Sequence, residues 1–427
     1  MSIKKIKDIV GNKFYKPLLI NAFAFFKSYL LRLVVQGVYF VILARSFAPE
    51  KYGAYVGIVA IISIFIPFAN WGSGEILVQE ASRNHNRFKD YWGAAILKSL
   101  ILGSVFVGFV LILYSFIPIK NISLGIVFFI ALANLVFFKI DEVARHALMS
   151  IGLLNLAAKA LVVLYLNRFV ASLVFLAFFP SANILDWSIL YCIATFITAI
   201  MTTAMVVRQA GYPNFKLATV TKDLKLGFAF AIGVSAHNIY NDLDKSMLAK
   251  LSTLQATGIY GAAYNILNVS FAPVHSLMLA SFRNFFQQGA SGIKGSFDLC
   301  KKLLPLSLAY SVVAIVGLIV FAPLLPAILG SEYREAAWAL VWLSPTIFFR
   351  TMHFFGADTL TGANHQSARS ASQVIVAVAN GLLNFWLIPL YGWHGAIWAT
   401  IASEFLLTIF LWCYVFKYSR QSQITPP

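Results

Sequence analysis

Long apolar runs separated by short polar interruptions repeat from one end of the chain to the other. The runs near 18–46, 52–72, 92–117, 122–144, 155–179, 187–207, 226–249, 258–282, 303–326, 337–360, 370–388 and 394–416 each supply the roughly 20 residues a helix needs to cross a bilayer. They are continuously apolar and do not alternate, which predicts helices that satisfy their own backbone and not the strands of a barrel. The pattern therefore predicts an all-α polytopic membrane protein with twelve transmembrane helices.

A weak duplication organises these spans. "LARSFAPEKYGAY" (43–55), after span 1, is echoed by "LAKLSTLQATGIYGAAY" (248–264), after span 7. An offset of six spans keeps both copies in one orientation. This predicts two six-helix lobes related by a pseudo-two-fold along the membrane normal. Ser63 and Pro67 in "SIFIPF" have counterparts in Ser270 and Pro273 of "SFAPV", and a proline within a span removes a backbone hydrogen bond and kinks the helix. Pro67 and Pro273 are thus candidate hinges. The longest polar stretch, "RQAGYPNFKLATVTKDLKLG", joins the halves. The expected organisation is a cytoplasmic N-terminus (1–17), an N-lobe (18–207), a cytoplasmic linker (208–225), a C-lobe (226–416) and a cytoplasmic tail (417–427).

Composition agrees with the pattern. Of the 427 residues 60% are hydrophobic and 11% charged, where a soluble domain carries about a quarter charged, and the mean hydropathy is +0.78. The basic start "MSIKKIKDIVGNKFYK" resembles a signal-peptide n-region, but the run behind it is too long and lacks a small-x-small cleavage site. It reads as the retained cytoplasmic end of span 1. The net charge of +17 concentrates on one side: with the N-terminus cytoplasmic, the outer side holds only Arg45, Lys51, Lys120, Lys250 and Arg334. The positive-inside bias thus absorbs the charge, and no nucleic-acid partner is implied. Three cysteines imply no disulfide framework.

Ionisable groups at bilayer depth cost several kcal/mol unless they face a cavity or a partner. The first half holds Lys27, Arg32, Glu75, Lys98, Lys139, Asp141, Glu142 and Arg168 within or near spans, an excess of positive charge. The second holds Asp242, Asp244, Lys245, Arg350, Asp358 and Glu404, an excess of negative charge. Basic groups donate charge-assisted hydrogen bonds to phosphate oxygens, so Lys27, Arg32, Arg168, Lys245 and Arg350 are candidates for an anionic head such as a pyrophosphate. Asp242, Asp244, Glu404 and His237 are candidates for a coupling proton or sodium ion. Lys98, Glu75 and Asp358 lie near cytoplasmic ends and are expected at the interface. In "KIDEVARH" the i,i+3 and i,i+4 spacings let Lys139, Asp141, Glu142, Arg145 and His146 neutralise one another, and Asp242 can pair with Lys245 in the same way. No spacing fits a structural metal site, a nucleotide-binding loop or a hydrolase elbow, so neither metal nor cofactor is expected.

"LARSFAPEKYGAY", "ATGIYGAAY" and above all "NGLLNFWLIPLYGWHGAIWATIASE" (380–404) carry a likeness. On these residues the chain resembles the polysaccharide flippases of the multidrug/oligosaccharidyl-lipid/polysaccharide exporter superfamily. The resemblance implies a multi-pass protein of the bacterial inner membrane with both termini cytoplasmic. It implies a secondary transporter, not an enzyme, whose cargo is an undecaprenyl-pyrophosphate-linked O-antigen or exopolysaccharide unit moved to the periplasmic leaflet by rocking lobes. Membrane lipids and polysaccharide polymerase or assembly proteins are the implied partners. Two other readings stand beside it. A cation or drug antiporter of the same superfamily would favour an acidic cavity. A polytopic glycosyltransferase, ligase or polymerase acting on the same lipid would need a large outer loop, and the outer loops here are short.

Charge reversal at Arg168 or Arg350 is expected to abolish surface polysaccharide while membrane insertion, followed by fractionation, is unchanged. Full export by both variants would contradict a phosphate-binding cavity.

Overall fold

A computed structural model describes residues 15–424 except 117, 120–121, 181, 222–223 and 291, and side chains there outside 15–32, 82–83, 154–155, 225–226, 229–230, 232–241, 279–280, 283 and 422–424. The described chain is helical throughout, without a strand. In order, the helices are α1 (Tyr15–Ser63), α2 (Ser73–Arg83), α3 (Phe88–Phe116), α4 (Leu124–Leu132), α5 (Phe138–Ser150), α6 (Leu154–Phe178), α7 (Ile184–Ala210), α8 (Leu217–Val220), α9 (Leu224–Leu251), α10 (Leu254–Gly289), α11 (Ile293–Phe321), α12 (Leu325–Leu329), α13 (Arg334–Leu343), α14 (Thr346–Gly362), α15 (Gln366–Tyr391) and α16 (Trp393–Ile424).

Eight helical stretches among the described residues are long and apolar enough to cross a membrane, from Leu33–Ser63 through Trp393–Gln421. The sequence pattern counts more spans, and the difference has local causes. Span 10 is interrupted at Ser344 and Pro345, leaving the short helices α13 and α14. Parts of spans 1, 7 and 8 fall among residues whose side chains are not described. Large apolar side chains face outward, among them Phe116, Val313, Leu382 and Phe385. In a bilayer such exposure costs nothing, because acyl chains are as apolar as leucine.

Breaks follow from residue chemistry. α1 turns at Ala48 (φ 55°, ψ 172°), directly before Pro49, whose ring bars the preceding residue from helical geometry. This separates spans 1 and 2 within one continuous element. Beyond Ser63, Pro67 does more than kink a helix: it begins a 3₁₀ turn (Ile66–Ala69), and Trp71 and Gly72 at positive φ then redirect the chain into α2. Pro273, in contrast, lies inside the unbroken α10. Between α4 and α5 the residues Ala133–Phe137 form a π turn, a feature that often marks a functional position.

The chain groups into two compact units, Val34–Gly258 and Ile259–Pro427 with the stretch before Val34. The first is built on a core in which Trp92, Leu77, Val143, Ala144, Leu148 and Val206 are buried together. It also explains part of the repeated motif. A Cβ on Gly53 would lie 1.7 Å from the Leu254 carbonyl oxygen, and one on Gly258 would lie 1.9 Å from that of Pro49. Only glycine lets the two backbones approach so closely, as at small-residue contacts in membrane helices. Within the second unit, α14, α15 and α11 pack against α16 or one another and frame a polar interior.

Gly53→Val and Gly258→Val should each cost roughly 3 kcal/mol or more by overpacking. They should lower the melting temperature of the purified protein well below that of Gly108→Ala, where a Cβ meets nothing within 4 Å. Equal melting temperatures for all three would contradict the backbone contact.

Candidate functional site

Among the described residues, Arg168 of one unit and Arg350 of the other are arginines at depth, and the two sit in different electrostatic circumstances. Arg168 lies past the middle of α6, a helix of 25 residues. Its guanidinium stacks over the Tyr191 ring at 4.5 Å and over Phe138 at 5.8 Å. Nε and Nη2 are buried and have no hydrogen-bond partner among the described residues. The Tyr39, Tyr55, Tyr165 and Tyr191 side chains and the Asp141 carboxylate lie within electrostatic reach of it.

The aromatic surroundings are tied together by hydrogen bonds and ring contacts. Tyr39 and Tyr55 share a hydrogen bond of 3.2 Å. Trp187, fully buried, stacks with Tyr39 and meets Tyr55 edge-on. Tyr191 donates a 3.0 Å hydrogen bond to Asn134 Oδ1, and Asn134 belongs to the π turn and itself donates to Ile130 O. The irregular turn thus aims a polar side chain at the ring on which the arginine rests. A desolvated cation–π contact contributes about 2 kcal/mol, whereas an arginine at mid-bilayer costs about 3 kcal/mol even on the mildest scale. The rings offset part of that cost and leave two donors unused.

One turn towards the cytoplasmic end expected for α5, the acidic and basic groups close on themselves. Lys139 contacts Glu142, and Arg145 Nε donates to Asp141 Oδ2 at 3.1 Å. Both pairs have the spacing read from the sequence.

In the second unit Arg350 of α14 is fully engaged. Nε donates to Glu404 Oε1 on α16 (3.2 Å), Nη1 to Asn268 Oδ1 (2.8 Å) and Nη2 to the Tyr264 hydroxyl (2.7 Å), both on α10. Its guanidinium also lies over the Tyr264 and Phe271 rings. The other carboxylate oxygen of Glu404 is 2.7 Å from His353 Nε2. All three ionisable groups are buried. Tyr264, the last residue of the second repeat copy, thus contacts an arginine, and Tyr55, the last of the first copy, belongs to the ring cluster at Arg168. Beside this cluster, Asn384 donates to Asn380 Oδ1, and Asn380 donates to Ser403 Oγ.

The remaining sequence candidates are placed as follows. Lys245 donates to Asp242 Oδ1 at 2.6 Å, an i,i+3 pair on α9, and Asp244 Oδ1 accepts from the Lys245 backbone N–H. Lys27, Arg32 and His237 lie outside the residues with described side chains. Lys98 and Asp358, expected near the membrane interface, are both buried within the protein, Asp358 lying 3.7 Å from Arg369 Nη1. Among the described residues no group of three or more His, Cys, Asp or Glu could hold a metal ion.

His353 was not singled out from the sequence, although it sits three residues after Arg350 and so on the same helical face. Asn134 and Tyr191 carried no signal, because their link spans 57 positions.

Comparison with known proteins places this geometry. Residues 18–282 match the family described as polysaccharide biosynthesis protein. A protein of Escherichia coli (strain K12) named "Putative O-antigen transporter" is 22% identical over 402 residues, covering 91% of this chain and 93% of that one. An uncharacterised membrane protein of Methanocaldococcus jannaschii is 27% identical over 276 residues, 60% of this chain, and the match spans about half (52%) of that relative's length. In fold the chain is similar to an inward-facing multidrug resistance MATE family transporter of the MOP superfamily, at 12% identity and a TM-score of 0.75 over 93% of this chain and 99% of that one. It is also similar to the lipid II flippase MurJ, at 13% identity and a TM-score of 0.72 over 93% and 87%. The E. coli relative and the two fold neighbours are described as transporters or a flippase, not as enzymes. The chain belongs to the polysaccharide biosynthesis protein family and is a multi-pass membrane protein.

Proposed function

We propose that this protein flips an undecaprenyl-pyrophosphate-linked oligosaccharide, an O-antigen or exopolysaccharide repeat unit, from the cytoplasmic to the periplasmic leaflet of a bacterial inner membrane. In this reading twelve helices form two six-helix lobes, 18–207 and 226–416, joined by the linker 208–225, with both termini cytoplasmic. The lobes alternate access, coupled to an ion gradient. Family membership, the name of the E. coli relative and the likeness to a lipid flippase support the cargo class.

The observation that carries the proposal is Arg168, a buried cation with two unused donors and, among the described residues, no carboxylate within ion-pair distance, Asp141 acting on it only from farther off. An antiporter of cationic drugs would be repelled by such a group. A diphosphate supplies what it lacks, a negative charge and oxygen acceptors in a planar arrangement that a guanidinium matches. Arg168 is therefore the primary anchor. Arg350, held by Glu404, is a second anchor that must first be released. The closed Lys245–Asp242 pair contributes no net charge and serves the cargo less directly. Lys27 and Arg32 would extend the cationic path, and His237, Asp242, Asp244 and Glu404 are the coupling candidates. Pro67, in its 3₁₀ turn, and Pro273, within α10, are the proposed hinges.

A hydrogen bond to a charged group contributes about 1.5–3 kcal/mol, so Arg168→Gln should reduce flipping of a diphosphate-linked oligosaccharide in proteoliposomes roughly 10–100-fold. Arg168→Lys should recover part of it, since charge returns without the fork. Flipping within twofold of wild type by Arg168→Gln would contradict the anchor. Tyr191→Ala should also slow flipping, while Tyr191→Phe, which keeps the ring face under the guanidinium, should retain most of it. Equal loss in both would place the contribution in the hydroxyl and not in the ring.

A further inference from the structure

The buried cluster in the second unit sets one carboxylate against two bases. Glu404 gives Oε1 to Arg350 and places Oε2 2.7 Å from His353 Nε2. Neither Oε2 nor Nε2 makes an aligned hydrogen bond among the described residues. The cluster is neutral when His353 is neutral, since Arg350 and Glu404 cancel. A proton on His353 leaves one uncompensated positive charge among groups that are at most 6% exposed. Such a charge is costly in this setting. Two arrangements remove it: loss of the proton, or arrival of an anion.

We propose that His353 is a proton site linked to diphosphate binding, Glu404 being exchanged between its two bases. When a diphosphate draws the Arg350 guanidinium away, the abandoned Glu404 carboxylate is neutralised by an imidazolium at His353, which takes its proton from water. The bookkeeping closes: one proton enters, one ion pair (Arg350–Glu404) opens, and two form (Arg350–diphosphate and His353–Glu404). Linkage makes the effect reciprocal, so protonation also strengthens diphosphate binding. A proton taken up with the cargo leaves with it. An acidic exterior then opposes export, while an inside-negative potential still favours outward movement of the net negative complex. The inference rests on the proposed diphosphate cargo but concerns a different unit from the Arg168 anchor.

Other titratable groups near the cluster are accounted for. Tyr264 on α10 accepts from Arg350 through its hydroxyl. His275 lies on α10 seven residues beyond Asn268. Tyr310 on α11 donates to Ser270 O. Asp358, farther along α14, lies beside Arg369 of α15. Lys294, Asp298, Lys301 and Lys302 occupy the first turns of α11, and Lys417 and Arg420 the far end of α16. Glu335 on α13 accepts from Trp393. Among the described residues, Glu404 is the charged group in contact with His353, and Arg350 reaches it through Glu404.

The test uses the full-length protein in nanodiscs and farnesyl diphosphate as probe, titrated calorimetrically in buffers of different ionisation enthalpy. Wild type is expected to take up a proton on binding and to bind roughly tenfold tighter at pH 6 than at pH 8. His353→Gln should abolish both the uptake and the pH dependence, and Glu404→Gln, which frees Arg350 outright, should bind tightly at both pH values. Proton uptake by His353→Gln equal to wild type would overturn the proposal, as would a Glu404→Gln variant that binds no tighter than wild type at pH 8. Inorganic pyrophosphate is run in parallel: weaker binding with the same proton uptake assigns the site to a lipid diphosphate, and equal binding assigns it to the free anion, the linkage standing in both. Should wild type bind neither probe, the cargo reading fails on its own. The proton site is then decided by NMR of protein labelled at histidine and arginine side chains. Titration of His353 should move the Arg350 Nε resonance in the same pH range, and an unmoved resonance would overturn the linkage.

Discussion

Removing charge from water is the constraint that orders this molecule. With so few charged residues and so much lipid-facing carbon, each ionised side chain at depth needs a stated means of compensation. Three means are present. Lys139 and Glu142, Asp141 and Arg145, and Asp242 and Lys245 pair along single helices. Arg350, Glu404 and His353 pair between α14 and α16. Arg168 is compensated by ring faces and, at longer range, by Asp141. The first arrangement closes on itself along one helix. The second can be opened by a competing anion, and the third is incomplete without one.

Both arginines depend on the repeated motif, which gives the duplication a physical meaning. Its glycines let backbones meet at Gly53 and Gly258, and its terminal tyrosines, Tyr55 and Tyr264, stand in the ring environment of one arginine and on the guanidinium of the other. Rigid aromatic supports suit this task because a tyrosine offers both a cation-binding face and a polar edge. The π turn at Ala133–Phe137 extends the same support through Asn134 and Tyr191.

Much of the fold was legible in the sequence, because hydropathy over some 20 residues reports directly on which segments partition into a bilayer. Local pairs were legible as well, since helical periodicity alone brings residues three or four apart together. Irregularity was not. Pro67 signalled a kink, yet the chain breaks into a 3₁₀ turn there, and Pro345 divides a span that hydropathy reads as continuous. Pairs between helices were invisible: Arg350 and Glu404, assigned separate tasks from their depth, lie 54 positions apart and neutralise each other. His353 could have been found from its spacing to Arg350. Arg168 was visible as a deep cation, but that no described carboxylate lies within ion-pair distance of it could only come from the packing.

The account turns on contact between phosphate oxygens and the Arg168 guanidinium. The direct measurement is the ³¹P–¹⁵N dipolar coupling by solid-state NMR between a bound undecaprenyl diphosphate and the arginine side chains of the full-length protein in lipid. The account predicts that Arg168→Gln removes one ³¹P–¹⁵N coupling and that this same coupling persists in Arg350→Gln. A set of couplings unchanged by loss of Arg168 would contradict it.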